Sequence, residues 1–129
     1  KGDLRQLRLP IAAGYPDLVA SKGVIGFSDH NDQRYIHLAP GGEALLKITP
    51  RPPQRAWLSA VAAEITQFAW TPKGMKLAVT AHADGFIRFG GAVGCKLLSG
   101  GRGMVAKQAS GLLQATFGAG QYEMELVCK

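Results

Sequence analysis

The chain has 129 residues, the length of one domain with a single core, and 47% hydrophobic content is ordinary for a globular protein. No apolar run approaches the ~20 residues that a membrane-spanning helix needs, so membrane insertion is not expected. Fifteen basic against nine acidic residues give a net charge of +6, but the basic residues form no run, which argues against a nucleic-acid partner.

The chain opens on Lys1 without a charged, apolar, small-residue leader pattern, and residues 1–129 are expected to be a single domain cut from a longer chain. Seventeen glycines and seven prolines punctuate the sequence, and the stretches between them alternate with period two. This pattern predicts an all-β fold, an antiparallel β-sandwich of jelly-roll-like character, with nine or ten strands and at most one short helix.

In chain order, DLRQLRL (Asp3–Leu9) is a strand that stops at Pro10, and GYPDLVASKG is a loop or short helical turn. VIGFSD and QRYIHL flank His30-Asn31 as a hairpin, with Arg34, Ile36 and Leu38 on one face and Gln33, Tyr35 and His37 on the other. Tyr35 and His37 are expected to face outward together. EALLKIT is a strand ended by the proline-rich PRPPQR. AWLSAVAAEITQFAW fits a helix or a strand, and Ile65, Phe68 and Trp70 before the turn TPKG favour one long strand.

MKLAVTAH follows with Met75, Leu77, Val79 and Ala81 on one face, and the turn ADG leads into FIRFGG. CKLLSG, MVAKQAS, LLQATFG and YEMELVC complete the strands, and the glycine groups GGAVG and SGGRG are turns, since neither matches a phosphate-binding loop. In the last strand Tyr122, Met124, Leu126 and Cys128 share a face, with Glu123 and Glu125 outward. Cys95 and Cys128 both lie in strand-like segments. A disulfide across the sandwich is favoured over two buried thiols, because it would tie the last strand to a mid-chain strand.

The densest chemistry lies in GFSDHNDQRYIHLAP (Gly26–Pro40). From Asp29, a helix–loop–helix calcium site would need glycine at the sixth position and glutamate at the twelfth, where Arg34 and Pro40 stand. A zinc set is equally poor, because His30 and His37 are seven residues apart with only His82 to complete it. No metal or other cofactor is expected, and the Asp29–Asp32 tetrapeptide is assigned to a hairpin turn.

No nucleophile elbow is present, so covalent catalysis has no signature. Glu123 and Glu125, roughly 7 Å apart by strand rise, could form a hydrolytic carboxylate pair, which leaves a small glycoside hydrolase as one alternative. Flat aromatic faces are the usual stacking platforms for sugar rings. Trp57, Trp70 and Tyr35, with His37 beside the tyrosine and Asp29 and Asp32 at the hairpin tip, are therefore the candidate ligand-binding residues.

The segments LRLPIAAGYPDL, SKGVIGFSD and QRYIHL resemble the C-terminal β-sandwich region of bifunctional secreted exopolysaccharide-processing proteins of the Pel type, which join a glycoside hydrolase domain to a polysaccharide deacetylase domain. The likeness runs through Gly14-Tyr15-Pro16-Asp17-Leu18, Gly23-Val24-Ile25-Gly26 and Arg34-Tyr35-Ile36-His37-Leu38. Beyond the first third it rests on strand order and the late cysteine pair. None of these motifs is catalytic, so no functional residue carries over.

The resemblance implies a non-catalytic carbohydrate-binding-like accessory module, secreted or periplasmic, beside a biofilm-polysaccharide deacetylase. A partly deacetylated amino-sugar polymer is cationic and a +6 domain repels it at long range. Either the binding face is locally acidic, near Asp29, Asp32 or Glu43, or the domain is an interdomain scaffold that docks on neighbouring domains without a sugar ligand.

Overall fold

The computed structural model describes residues 4–99 and 105–129. Asp3 and the glycine turn at 100–103 lie outside them. The fold is an all-β sandwich, and its only helical element among the described residues is a 3-10 turn at Ile11–Ala13. Among the described residues no helix is long and apolar enough to cross a membrane.

Among the described residues there are thirteen strands, more than the nine or ten expected: β1 Gln6–Pro10, β2 Tyr15–Pro16, β3 Val24–His30, β4 Gln33–Leu38, β5 Ile48–Thr49, β6 Trp57–Val61, β7 Glu64–Thr71, β8 Gly74–Ala81, β9 Gly85–Gly90, β10 Cys95–Ser99, β11 Val105–Ala109, β12 Leu112–Phe117 and β13 Gly120–Cys128. Seven form one sheet in the order β1-β4-β3-β6-β9-β12-β11, four form a second in the order β10-β13-β8-β7, and β2-β5 make a small third layer.

Part of the excess comes from AWLSAVAAEITQFAW, which is two strands rather than one. β6 joins the seven-stranded sheet between β3 and β9, and β7 joins the four-stranded sheet beside β8. The chain changes sheets at Ala62–Ala63, so Leu58 and Ile65 feed one core from opposite sides. EALLKIT is the second departure, since only Ile48–Thr49 and a bridge from Leu45 to Lys22 are strand-like there. Its remaining residues are mostly exposed and meet no continuous partner strand.

The hairpin is present, with its tip at Asn31-Asp32 rather than His30-Asn31. Both tip residues have positive φ, 52° and 63°, the geometry of a two-residue hairpin turn that Asn and Asp tolerate better than other side chains. Among the described residues pairing is antiparallel except where β6 runs parallel to β3 at Gly26 and Leu58. A Cβ on Gly26 would stand 1.8 Å from the Leu58 carbonyl oxygen, so glycine is what lets the two backbones meet.

The main core fills the space between the larger sheets. Ile25, Leu58, Ile87, Phe89, Ala115 and Phe117 face Met75, Leu77, Val79, Ala81, Met124 and Leu126. This follows the alternation read from β8 and β13. The four-stranded sheet is shorter, and the β1-β4-β3 end of its partner packs its other face in a second cluster, Leu18, Val24, Phe27, Ile36 and Leu38.

Cys95 and Cys128 form a disulfide. They are opposed residues of the paired strands β10 and β13, so the bond staples one sheet internally instead of crossing the sandwich.

Candidate functional site

The acidic hairpin is structural. Arg34, only 3% exposed, donates from Nε to Asp29 Oδ1 at 2.7 Å and from Nη2 to Oδ2 at 2.9 Å, while Nη1 donates to the Gly14 carbonyl at 2.6 Å. Its guanidinium lies 4.1 Å from the Tyr15 ring centre and 5.2 Å from that of Phe27. The bond to Asp29 holds the Arg34 proton more tightly than usual, against the opposing effect of burial. Asp29 is therefore committed to Arg34, and Asp32 sits in the exposed turn. Glu43 is an exposed loop residue.

The two tryptophans do not form a platform either. Trp57 stacks on Phe27, with ring centres 4.7 Å apart and planes 17° from parallel, and its indole also covers Gly90 and Gly91. Trp70 is capped by Arg55, whose guanidinium lies 4.1 Å from its ring, and Phe68 meets it edge-on at 5.0 Å. Arg55 is held in place by donating to the Thr71 and Gly74 carbonyls at 3.0 Å each. Both indoles are half-buried, with their faces already occupied by protein groups.

Tyr35 and His37 share a strand face, but they do not face outward together. Tyr35 is half-buried, opposite Ser28 and Arg8 across the flanking strands, whereas His37 is 2% exposed. His37 Nε2 donates to the Ser59 carbonyl at 2.7 Å. Burial pushes the imidazole toward its neutral form, partly opposed by that hydrogen bond. The residue lies in the wall of a cleft of about 590 Å³ where the long sheet extends past the short one, together with Gln6, Ser28, Glu64, Thr80 and His82.

A second concavity of about 510 Å³ lies on the outer face of the four-stranded sheet. Ala69 and Ala78, on neighbouring strands, leave its floor low, and Leu98, Gln67, Lys76, Glu123 and Glu125 surround it. Glu125 is paired in register with Lys76, but Glu123 stands opposite Ala78. Among the described residues neither glutamate has a salt-bridge partner. The two carboxylates were legible in the sequence as outward positions of β13. Their convergence with Ala69, Ala78 and Leu98 was not, because it depends on strand order.

Among the described residues no group of three or more His, Cys, Asp or Glu side chains is placed to hold a metal ion. No protein-family profile matches the chain, and no curated protein or solved structure shows significant similarity to it.

Proposed function

We propose that the domain is a non-catalytic accessory module, acting in the periplasm or outside the cell, that holds an amino-sugar exopolysaccharide for an attached deacetylase or hydrolase. The observation that carries this reading is the groove on the four-stranded sheet. In a chain of net charge +6 it presents two carboxylates, neither with a salt-bridge partner among the described residues, beside an apolar floor, with Lys76 the one cation in its lining among the described residues. A cationic polymer repelled by the whole protein can still be held there, because local contacts between opposite charges outweigh a long-range field screened beyond ~8 Å at physiological salt. The disulfide fits an oxidising compartment, and the likeness to Pel-type proteins supplies the class of polymer.

With no aromatic platform in the groove, affinity per sugar unit is low. Each exposed ion pair contributes about 0.2–1 kcal/mol. Useful retention then comes from successive units along the polymer and from tethering to the enzyme, which raises effective concentration without new contacts.

The test is affinity electrophoresis in partly deacetylated and in fully acetylated polymer. Retardation is expected only by the former, weakening with salt and reduced at least about threefold by Glu123→Gln with Glu125→Gln. Equal retardation of the variant would overturn the assignment of the groove. Polymer hydrolysis by the isolated domain, lost in either glutamate variant, would replace binding with catalysis.

One observation favours a docking role as a second reading. Val19, Leu45 and Ile48 are exposed apolar residues on the small β2-β5 layer and its turns, with no aromatic among them. This reading predicts that Leu45→Ser with Ile48→Ser abolishes association with the enzymatic part of the parent chain and leaves polymer binding intact.

A further inference from the structure

The groove on the four-stranded sheet has two unlike halves, set by the strand registers. Leu98, Glu125, Lys76 and Ala69 stand opposite one another in one row across β10, β13, β8 and β7. The next row on the same face, two residues along β13, holds Glu123, Ala78 and Gln67. Directly opposed side chains have Cβ atoms about 4.5–5.5 Å apart, so the neighbour of Glu125 on β8 is a cation and that of Glu123 is a methyl group. Lys76 is exposed and, like both glutamates, has no salt bridge among the described residues. Its charge is therefore presented to the groove.

Glu123, Glu125 and Lys76 are the charged side chains of the lining among the described residues, so two negative charges and one positive leave it at −1. One ammonium balances that charge. Over the Glu123 row an ammonium meets a carboxylate with no cation directly opposite. Over the Glu125 row it meets the carboxylate and Lys76 together, and attraction and repulsion between unit charges at similar distances cancel. The rest of that row, Leu98 and Ala69, is apolar and suits an uncharged unit that can lay a methyl group on it, as an N-acetylated sugar can.

We propose that Lys76 is a specificity-determining residue of this groove. It confines ammonium binding to the Glu123 row, and the preferred ligand is a stretch of polymer in which a free amine lies beside an acetylated unit, not a run of free amines. The inference rests on the saccharide reading of the groove. Lys76 selects by repulsion, placing a like charge against the wrong ligand.

The test is isothermal titration of the domain with glucosamine oligomers of equal length that are fully acetylated, half acetylated or fully deacetylated. Wild type should bind the half-acetylated oligomer about threefold more tightly than the fully deacetylated one. Lys76→Gln should bring the two within about twofold of each other, and Lys76→Arg, which keeps the charge, should restore the wild-type ratio. Lys107→Gln makes the same change in net charge on the other sheet and should leave the ratio as in wild type. Glu123→Gln should weaken binding of the half-acetylated oligomer about threefold, and Glu125→Gln by less than about twofold. Equal wild-type affinity for the half-acetylated and fully deacetylated oligomers, an unchanged ratio in Lys76→Gln, the same change in Lys107→Gln, or equal losses in the two glutamate variants would overturn the role of Lys76 and leave the groove standing. Wild type binding none of the oligomers would instead overturn the groove reading, and this inference with it.

Discussion

Replacing Asp29 by Asn removes a charge from a partner that cannot leave. Arg34 is 3% exposed, and its two hydrogen bonds to Asp29, at 2.7 and 2.9 Å, are charge-assisted. Breaking a fully buried pair costs about 3–5 kcal/mol. Here the Asp29 side chain is 41% exposed, so water and the new amide oxygen recover part of that. About 2 kcal/mol is the expected loss, or roughly 8 °C in Tm for a domain of this size. The asymmetry is the informative part. Arg34→Met in the same background removes the stranded cation, so the double variant should be no less stable than Asp29→Asn alone, despite losing the bond to Gly14. Urea unfolding of wild type, both single variants and the double variant closes the cycle. An Asp29→Asn midpoint within about 0.5 kcal/mol of wild type would refute the reasoning and return Asp29 to the pool of free ligand groups.

Reduction of the disulfide, which spans 33 residues, should remove about 3–4 kcal/mol, seen as a fall in urea midpoint at constant slope. A loss below about 1 kcal/mol would mean that β10 and β13 hold their register without it. Burial lowers the proton affinity of His37, so below its unfolded pKa of ~6.5 the unfolded chain binds the extra proton first. Its contribution is fully present above that pH. It is lost as pH falls toward the lower folded value, with a slope of at most about 1.4 kcal/mol per pH unit, and His37→Gln should flatten the thermal-shift profile over that range. Gly26→Ala places a Cβ 1.8 Å from the Leu58 carbonyl oxygen and should cost at least about 3 kcal/mol. Gly41→Ala meets nothing within 4 Å and should cost only the ~1 kcal/mol of its positive φ, a contrast that circular dichroism melts resolve.

The periodic parts of the sequence were legible as structure. Met75, Leu77, Val79 and Ala81 in β8, and Tyr122, Met124 and Leu126 in β13, alternate inward as their polarity dictates. The hairpin was legible from its Asx residues. Where a strand changes sheets was not, because AWLSAVAAEITQFAW is apolar on both sides of Ala62–Ala63 and only tertiary pairing separates the halves. His37 misled for a related reason. A histidine alternating with Gln33 and Tyr35 looks solvent-facing, but its position against Ser59 depends on β6 arriving beside β3 after a long loop. Trp57 and Trp70 are occupied by Phe27 and Arg55, which lie 30 and 15 residues away in sequence.

The central claim is that the outer face of the four-stranded sheet holds a cationic amino-sugar chain. Backbone amide shift mapping of the 15N-labelled domain against a glucosamine oligomer tests it most directly. The account predicts saturable shifts clustered on Gln67, Ala69, Ala78, Leu98, Glu123 and Glu125. Shifts confined to the β2-β5 layer, or no saturable shift on the four-stranded sheet, would contradict it.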